Sequence, residues 1–137
     1  MKKIFLISFI IFSFVNFYLA QETKFQLSSH ILDITLGKPA PGVKISLSKQ
    51  DTIEKWIVID EKITDENGRI KNFLKQEGEV NNRGVYKLTY YTSPYFKQLN
   101  QQSFYPFIEV IFEITNENHY HVPITLSPFG YSTYRGN

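Results

Sequence analysis

The side chains best suited to proton chemistry are three histidines, His30, His119 and His121. Histidine is the residue whose ordinary charge change falls near neutral pH, so it suits general acid and base work. His119 and His121 are two residues apart, which on a strand puts both imidazoles on one face. That spacing also fits a pair of zinc ligands. The chain has no cysteine, so a third ligand would have to be His30 or a carboxylate. Absence of cysteine also excludes disulfides and a thiol nucleophile. We read the set as metal-free and cofactor-free proton chemistry. Arg69 follows an Asn67-Gly68 turn, at the mouth of the next short strand. The chain closes on Tyr134-Arg135-Gly136-Asn137, after Ser127 and Ser132. No Gly-x-Ser-x-Gly elbow makes either serine a nucleophile. Taken singly, these residues have ordinary readings as solvated strand histidines, a turn arginine and a frayed tail.

The elements that must position them are strands. Aromatic residues make up 16% of the 137 residues, and Phe, Tyr, Val, Ile and Thr favour pleated surfaces. A first strand is expected over Phe25–Thr35, then a Gly-Pro turn over Gly37–Gly42 and an alternating strand over Val43–Leu47. Trp56–Ile59 is a continuous apolar run, and Asp65-Glu66-Asn67-Gly68 is a turn that leads into a short strand at Arg69. Residues Lys75–Gly84 are polar and read as a loop. Val85–Thr92 and Phe107–Thr115 read as strands. One helix is expected from Ser93 to about Asn100, with serine as its cap and Pro94 in its first turn. Seven or eight strands with one short helix predict an all-β, two-sheet sandwich.

The N-terminus reads differently. Lys2 and Lys3 precede an apolar run from Ile4 to Ala20, the pattern of a secretory signal peptide. We expect cleavage after Ala20, leaving residues 21–137 as one domain in the periplasm or outside the cell. An uncleaved anchor is the alternative, but the run is short for a spanning helix. Of the 15 basic residues, two lie in the leader, which leaves 13 against 13 acids. A neutral mature domain offers no electrostatic case for nucleic acid and, once the leader is cut, none for a membrane.

Alternation divides the strand from His119 into two faces. Tyr120, Val122, Ile124 and Leu126 form the core side, and His119, His121, Pro123, Thr125 and Ser127 point the other way. In the first strand His30 shares a face with Gln26, Ser28 and Leu32. In the last segment Gly130, Ser132 and Tyr134 share one. If these faces coincide, His30, His121, Ser132 and Tyr134 line one sheet surface, with Arg69 reaching it from a hairpin.

Three stretches together are more specific than any residue. Ser28–Leu47 (SSHILDITLGKPAPGVKISL), Thr64–Ile70 (TDENGRI) and His119–Asn137 (HYHVPITLSPFGYSTYRGN) resemble the transthyretin-like 5-hydroxyisourate hydrolases. Ser103–Ile114 resembles the segment that precedes the last motif in that family. The resemblance implies a transthyretin-like (prealbumin-like) sandwich assembled as a homotetramer, a dimer of dimers with its sites in the channel between them. It implies the substrate 5-hydroxyisourate, with His30, Arg69 and His121 as catalytic residues. It implies that His30, Arg69, Tyr134, Arg135, Gly136 and Asn137 contact substrate, and Ser132 is added to them from its shared outward face. Asn137 stands where the family's tetrapeptide usually ends in serine. A serine hydroxyl with a chemical role would be missing here, whereas a tail that shapes the pocket can end in asparagine; the match at Tyr134, Arg135 and Gly136 favours shaping. Non-enzymatic transthyretin-like binding modules share the Asp33–Val43 opening but lack the histidines, the post-turn arginine and the tail. A thyroid-hormone carrier would not keep this polar set.

Overall fold

A computed structural model describes residues 22–52 and 55–137. The expected signal peptide and its cleavage point lie outside the described residues. Among the described residues are nine strands, in two sheets, and one helix: β1 (Phe25–Asp33), β2 (Lys38–Pro39), β3 (Lys44–Thr52), β4 (Lys55–Ile63), β5 (Arg69–Lys75), β6 (Gly84–Tyr90), α1 (Ser93–Gln98), β7 (Ile108–Ile114), β8 (Tyr120–Ser127) and β9 (Gly130–Thr133). One sheet runs β2-β1-β8-β9, with β5 also paired to β1, and the other runs β4-β3-β6-β7. The count exceeds the expected seven or eight because the Gly-Pro turn contains a two-residue strand. Lys38 and Pro39 pair back onto Asp33 and Leu32.

The two sheets close over an apolar core supplied by alternate residues. Leu27 and Ile31 of β1, Ile45 and Leu47 of β3, Leu88 and Tyr90 of β6, and Val122, Ile124 and Leu126 of β8 are all buried there. Each such side chain contributes roughly 1.5–3 kcal/mol by leaving water. The period-two pattern therefore sets which side of β1 and β8 faces the core. Ser28, His30 and Leu32 on β1, and His121, Thr125 and Ser127 on β8, are left half-buried on the outer side.

Helix α1 departs from expectation at both ends. The capping position is Thr92, which makes no side-chain cap bond, and Ser93 is already helical. The helix stops at Gln98, and Asn100 takes a left-handed conformation (φ 53°), which asparagine tolerates and which cannot continue the helix. Tyr95 donates its hydroxyl to Asp33 Oδ2 at 2.8 Å, so α1 is tied to the end of β1.

The hairpin before β5 is built by Asp65 and Gly68. Asp65 Oδ1 accepts the N–H groups of Asn67 and Arg69, both at 2.9 Å, and Gly68 N–H donates to Asp65 O at 2.9 Å. Gly68 has φ 67°, and its carbonyl accepts from Ile31 N–H at 2.9 Å. A Cβ at Gly68 would stand 2.6 Å from the Ile31 carbonyl oxygen. Both the backbone angle and the space exclude a side chain. Gly68→Ala should therefore cost more than ~1 kcal/mol, read as a lower denaturant midpoint at unchanged m-value.

Candidate active site

Strand pairing decides which of the chemically capable residues meet. His30 is opposite Arg69 across β1 and β5. On the other side of β1, the parallel strand β8 puts His121 opposite Ser28 and Pro123 opposite His30. Directly opposed residues project to the same face of a sheet. Arg69, His30, Ser28 and His121 therefore form one row on the outer face. Ser132 of β9 is opposite Thr125, and the two hydroxyls are hydrogen-bonded, which extends this face outward.

The electrostatics follow from that row. Partial burial pushes the His30 imidazole below its ordinary pKa of 6.5; the Arg69 guanidinium lowers it further, and the Asp65 carboxylate partly opposes this. His121 is also lowered, first by burial, then by Arg69, and then by His30 and His119. Both imidazoles are thus neutral at neutral pH and able to accept a proton. The sign for stability is the same for both. The unfolded chain takes up these protons first, so stability is full above about pH 6.5 and falls as pH drops below it.

The tail joins the row through its backbone. β9 pairs with β8 up to Thr133 opposite Ile124, and Gly136 then pairs with His121 in the same register, its N–H donating to His121 O at 2.9 Å. The ladder lapses between them because Pro123 has no N–H to give. Carried across the gap, the register sets Tyr134 opposite Pro123 and Arg135 opposite Val122. Tyr134 is 60% exposed. Arg135 lies on the core side of β8, with its guanidinium 4.8 Å from the centre of the Tyr120 ring. Both residues border a cleft of about 320 Å³ between β7 and the tail. Within one protomer Arg135 is therefore apart from the histidine row, although the resemblance groups it with them. Gly136 instead lies directly on His121, where an added Cβ would come within 2.5 Å of Cδ2. Asn137 is exposed beyond it.

Ser28 within this row and His119 beside it are both outside the expected catalytic set. Ser28 Oγ is 2.8 Å from His121 Nδ1 and 2.8 Å from His119 Nε2. The signal for Ser28 was its position two residues before His30 on the same strand. The His119-x-His121 pair considered for zinc is thus spanned by a serine hydroxyl. Among the described residues no group of three His, Asp or Glu side chains is placed to hold a metal.

Residues 27–136 match the sequence model of the HIUase/Transthyretin family. The chain belongs to that family. A probable 5-hydroxyisourate hydrolase of Caenorhabditis elegans is 46% identical over 112 residues, covering 81% of each chain. Among solved structures, the 5-hydroxyisourate hydrolase of Klebsiella pneumoniae superposes with a TM-score of 0.67 at 34% identity, over 81% of this chain and 98% of its own. Sea bream transthyretin, solved in complex with thyroxine, superposes at 0.73 with 30% identity, over 81% and 94%. A fold shared by a hydrolase and a hormone-binding protein does not separate the two activities, so the side chains on the outer face must.

NMR titration of the imidazoles tests the electrostatics without reference to activity. His30 and His121 should both titrate below 6.5, and Arg69→Met should raise both values by removing a neighbouring positive charge. An unchanged pair of titrations in that variant would remove Arg69 from the account.

Proposed function

We propose that this protein hydrolyses 5-hydroxyisourate, the unstable product of urate oxidation, to 2-oxo-4-hydroxy-4-carboxy-5-ureidoimidazoline. The observation that carries the reading is the row of two neutral imidazoles beside one guanidinium on a single sheet face. The names of the C. elegans and Klebsiella relatives support it. A bare hormone carrier has no use for two proton acceptors next to a fixed cation.

The chemistry needs no metal or organic cofactor. A water oxygen bonds to the ring amide carbonyl carbon as an imidazole takes the water's proton. The carbonyl oxygen becomes an oxyanion facing Arg69, which lowers the barrier by fixed positive charge. Collapse of the tetrahedral intermediate breaks the C–N bond, and the imidazolium returns its proton to the leaving nitrogen. His30 and His121 carry these transfers. Ser132, Tyr134 and the Gly136-Asn137 backbone border the substrate, and Arg135 holds the tail in place through Tyr120.

The reading includes assembly and location. The outer face of the β1-β8 sheet is open in one protomer, so we infer that a second dimer covers it in a homotetramer. Strands β7 and β9 end their sheets, and terminal strands carry backbone groups able to pair with another copy. Light scattering of residues 21–137 should return four times the protomer mass. With its leader cut after Ala20, the enzyme would act in the periplasm or outside the cell.

The direct test generates 5-hydroxyisourate with urate oxidase and follows its absorbance after adding residues 21–137. Decay should outpace the spontaneous rate. His30→Ala, His121→Ala and Arg69→Ala should each lose about 10²-fold or more in turnover, the scale of a positioned acid–base group, with unchanged circular dichroism. Full activity in all three variants would refute the site. A wild-type chain that binds ligand without turnover would be a binding module.

A further inference from the structure

The hydrogen bonds around Ser28 form a chain whose direction can be worked out. His119 Nδ1 lies 3.1 Å from the Phe25 carbonyl oxygen. A carbonyl only accepts, so His119 Nδ1 carries a proton. In neutral His119 the other nitrogen, Nε2, is then a bare acceptor. It faces Ser28 Oγ at 2.8 Å, and the serine's single hydroxyl proton satisfies it. Ser28 Oγ has no second proton, so toward His121 Nδ1, also 2.8 Å away, it can only accept. His121 must donate there. The reverse assignment would aim the Ser28 proton at His121 and set two lone pairs against each other between Ser28 and His119. Two lone pairs held 2.8 Å apart repel, so the assignment that puts the Ser28 proton on His119 is the one in which both contacts are hydrogen bonds.

We propose that Ser28 and His119 are positioning residues that hold neutral His121 with its proton on Nδ1, leaving the Nε2 lone pair free as the general base. Which imidazole takes the water's proton is otherwise undecided between His30 and His121, and the chain of bonds selects His121. The geometry on the other side of the ring agrees. Gly136 lies against Cδ2, the carbon bonded to Nε2, so the tail backbone borders the bare nitrogen and limits how far the ring can turn. Rotating the ring to relieve a side chain at position 136 would break the bond to Ser28. The base role rests on the hydrolase reading, but the proton's position on His121 does not.

Long-range 1H–15N correlation NMR on the 15N-labelled full domain, above the pH at which the imidazoles titrate, reads the tautomer directly. In the wild type, His121 should show a protonated, pyrrole-type Nδ1 and a bare, pyridine-type Nε2. A bare Nδ1 on His121 overturns the proposal without any variant being made. Ser28→Ala should convert His121 to a mixture of tautomers and lower kcat about tenfold, a fraction of what an acid–base group supplies, with KM changed by less than about twofold. Ser28→Thr, which keeps the hydroxyl, should restore both tautomer and kcat. A Ser28→Ala chain with the wild-type tautomer and kcat would also overturn it. If the wild type has the expected tautomer yet leaves 5-hydroxyisourate to its spontaneous decay, the hydrolase reading fails and the tautomer assignment stands.

Discussion

The parallel pairing of β1 with β8 is the constraint on which the rest of the molecule depends. It joins strands 93 residues apart and sets Ser28 beside His121 and His30 beside Pro123. A slip of one residue would turn every outward side chain inward. Buried bonds resist that slip from the core side. Ser29 Oγ donates to Val122 O at 2.8 Å, and Tyr90 reaches from the other sheet to the same carbonyl at 3.2 Å and to Ser29 at 2.9 Å. Three polar groups inside the sandwich have their partners only in this register. The polar row outside is thus held by bonds made inside.

The site combines rigid placement with weak enclosure. Each residue of the row rises from a paired strand, and β1 at the centre is held by β5 on one side and β8 on the other. Arg69 is delivered by a turn in which Asp65 accepts two backbone N–H groups, which also hold the Asp65 carboxyl below its ordinary range. Partial burial, and after it the charge of the neighbouring guanidinium, keeps both histidines neutral. An open face is a poor place for hydrolysis while bulk water screens its charges, because electrostatic stabilisation is strongest where water is excluded. This is the physical reason that a covering second dimer belongs to the functional reading.

The tail is neither a free end nor a full strand. Pro123 interrupts the ladder, and Gly136 restores it at His121 because glycine alone lets the backbone lie on the ring. Alternation in that unbroken register carries Arg135 to the far side of β8, where its guanidinium lies over the Tyr120 ring. One short segment therefore presents backbone to the histidine and anchors itself by a cation on an aromatic face.

Much of this was legible in the chain itself. Apolar residues at every second position set the strands and placed His30 and His121 on outward faces, because a strand can bury only one side. Asn67-Gly68 marked the turn that delivers Arg69, since Gly68 takes a left-handed backbone angle that few other residues accept. Motif resemblance then indicated the family. The pairing partners were not legible. Alternation states which face a residue occupies, but not that β1 lies between β5 and β8, and only that adjacency brings Arg69, His30 and His121 together. The two-residue β2 and the end of α1 at Gln98 are local backbone details too small for apolar alternation to register. Ser28 shows the division most plainly. The sequence placed it on the face of His30, whereas its two bonds to His119 and His121 exist only because the first and eighth strands pair in parallel.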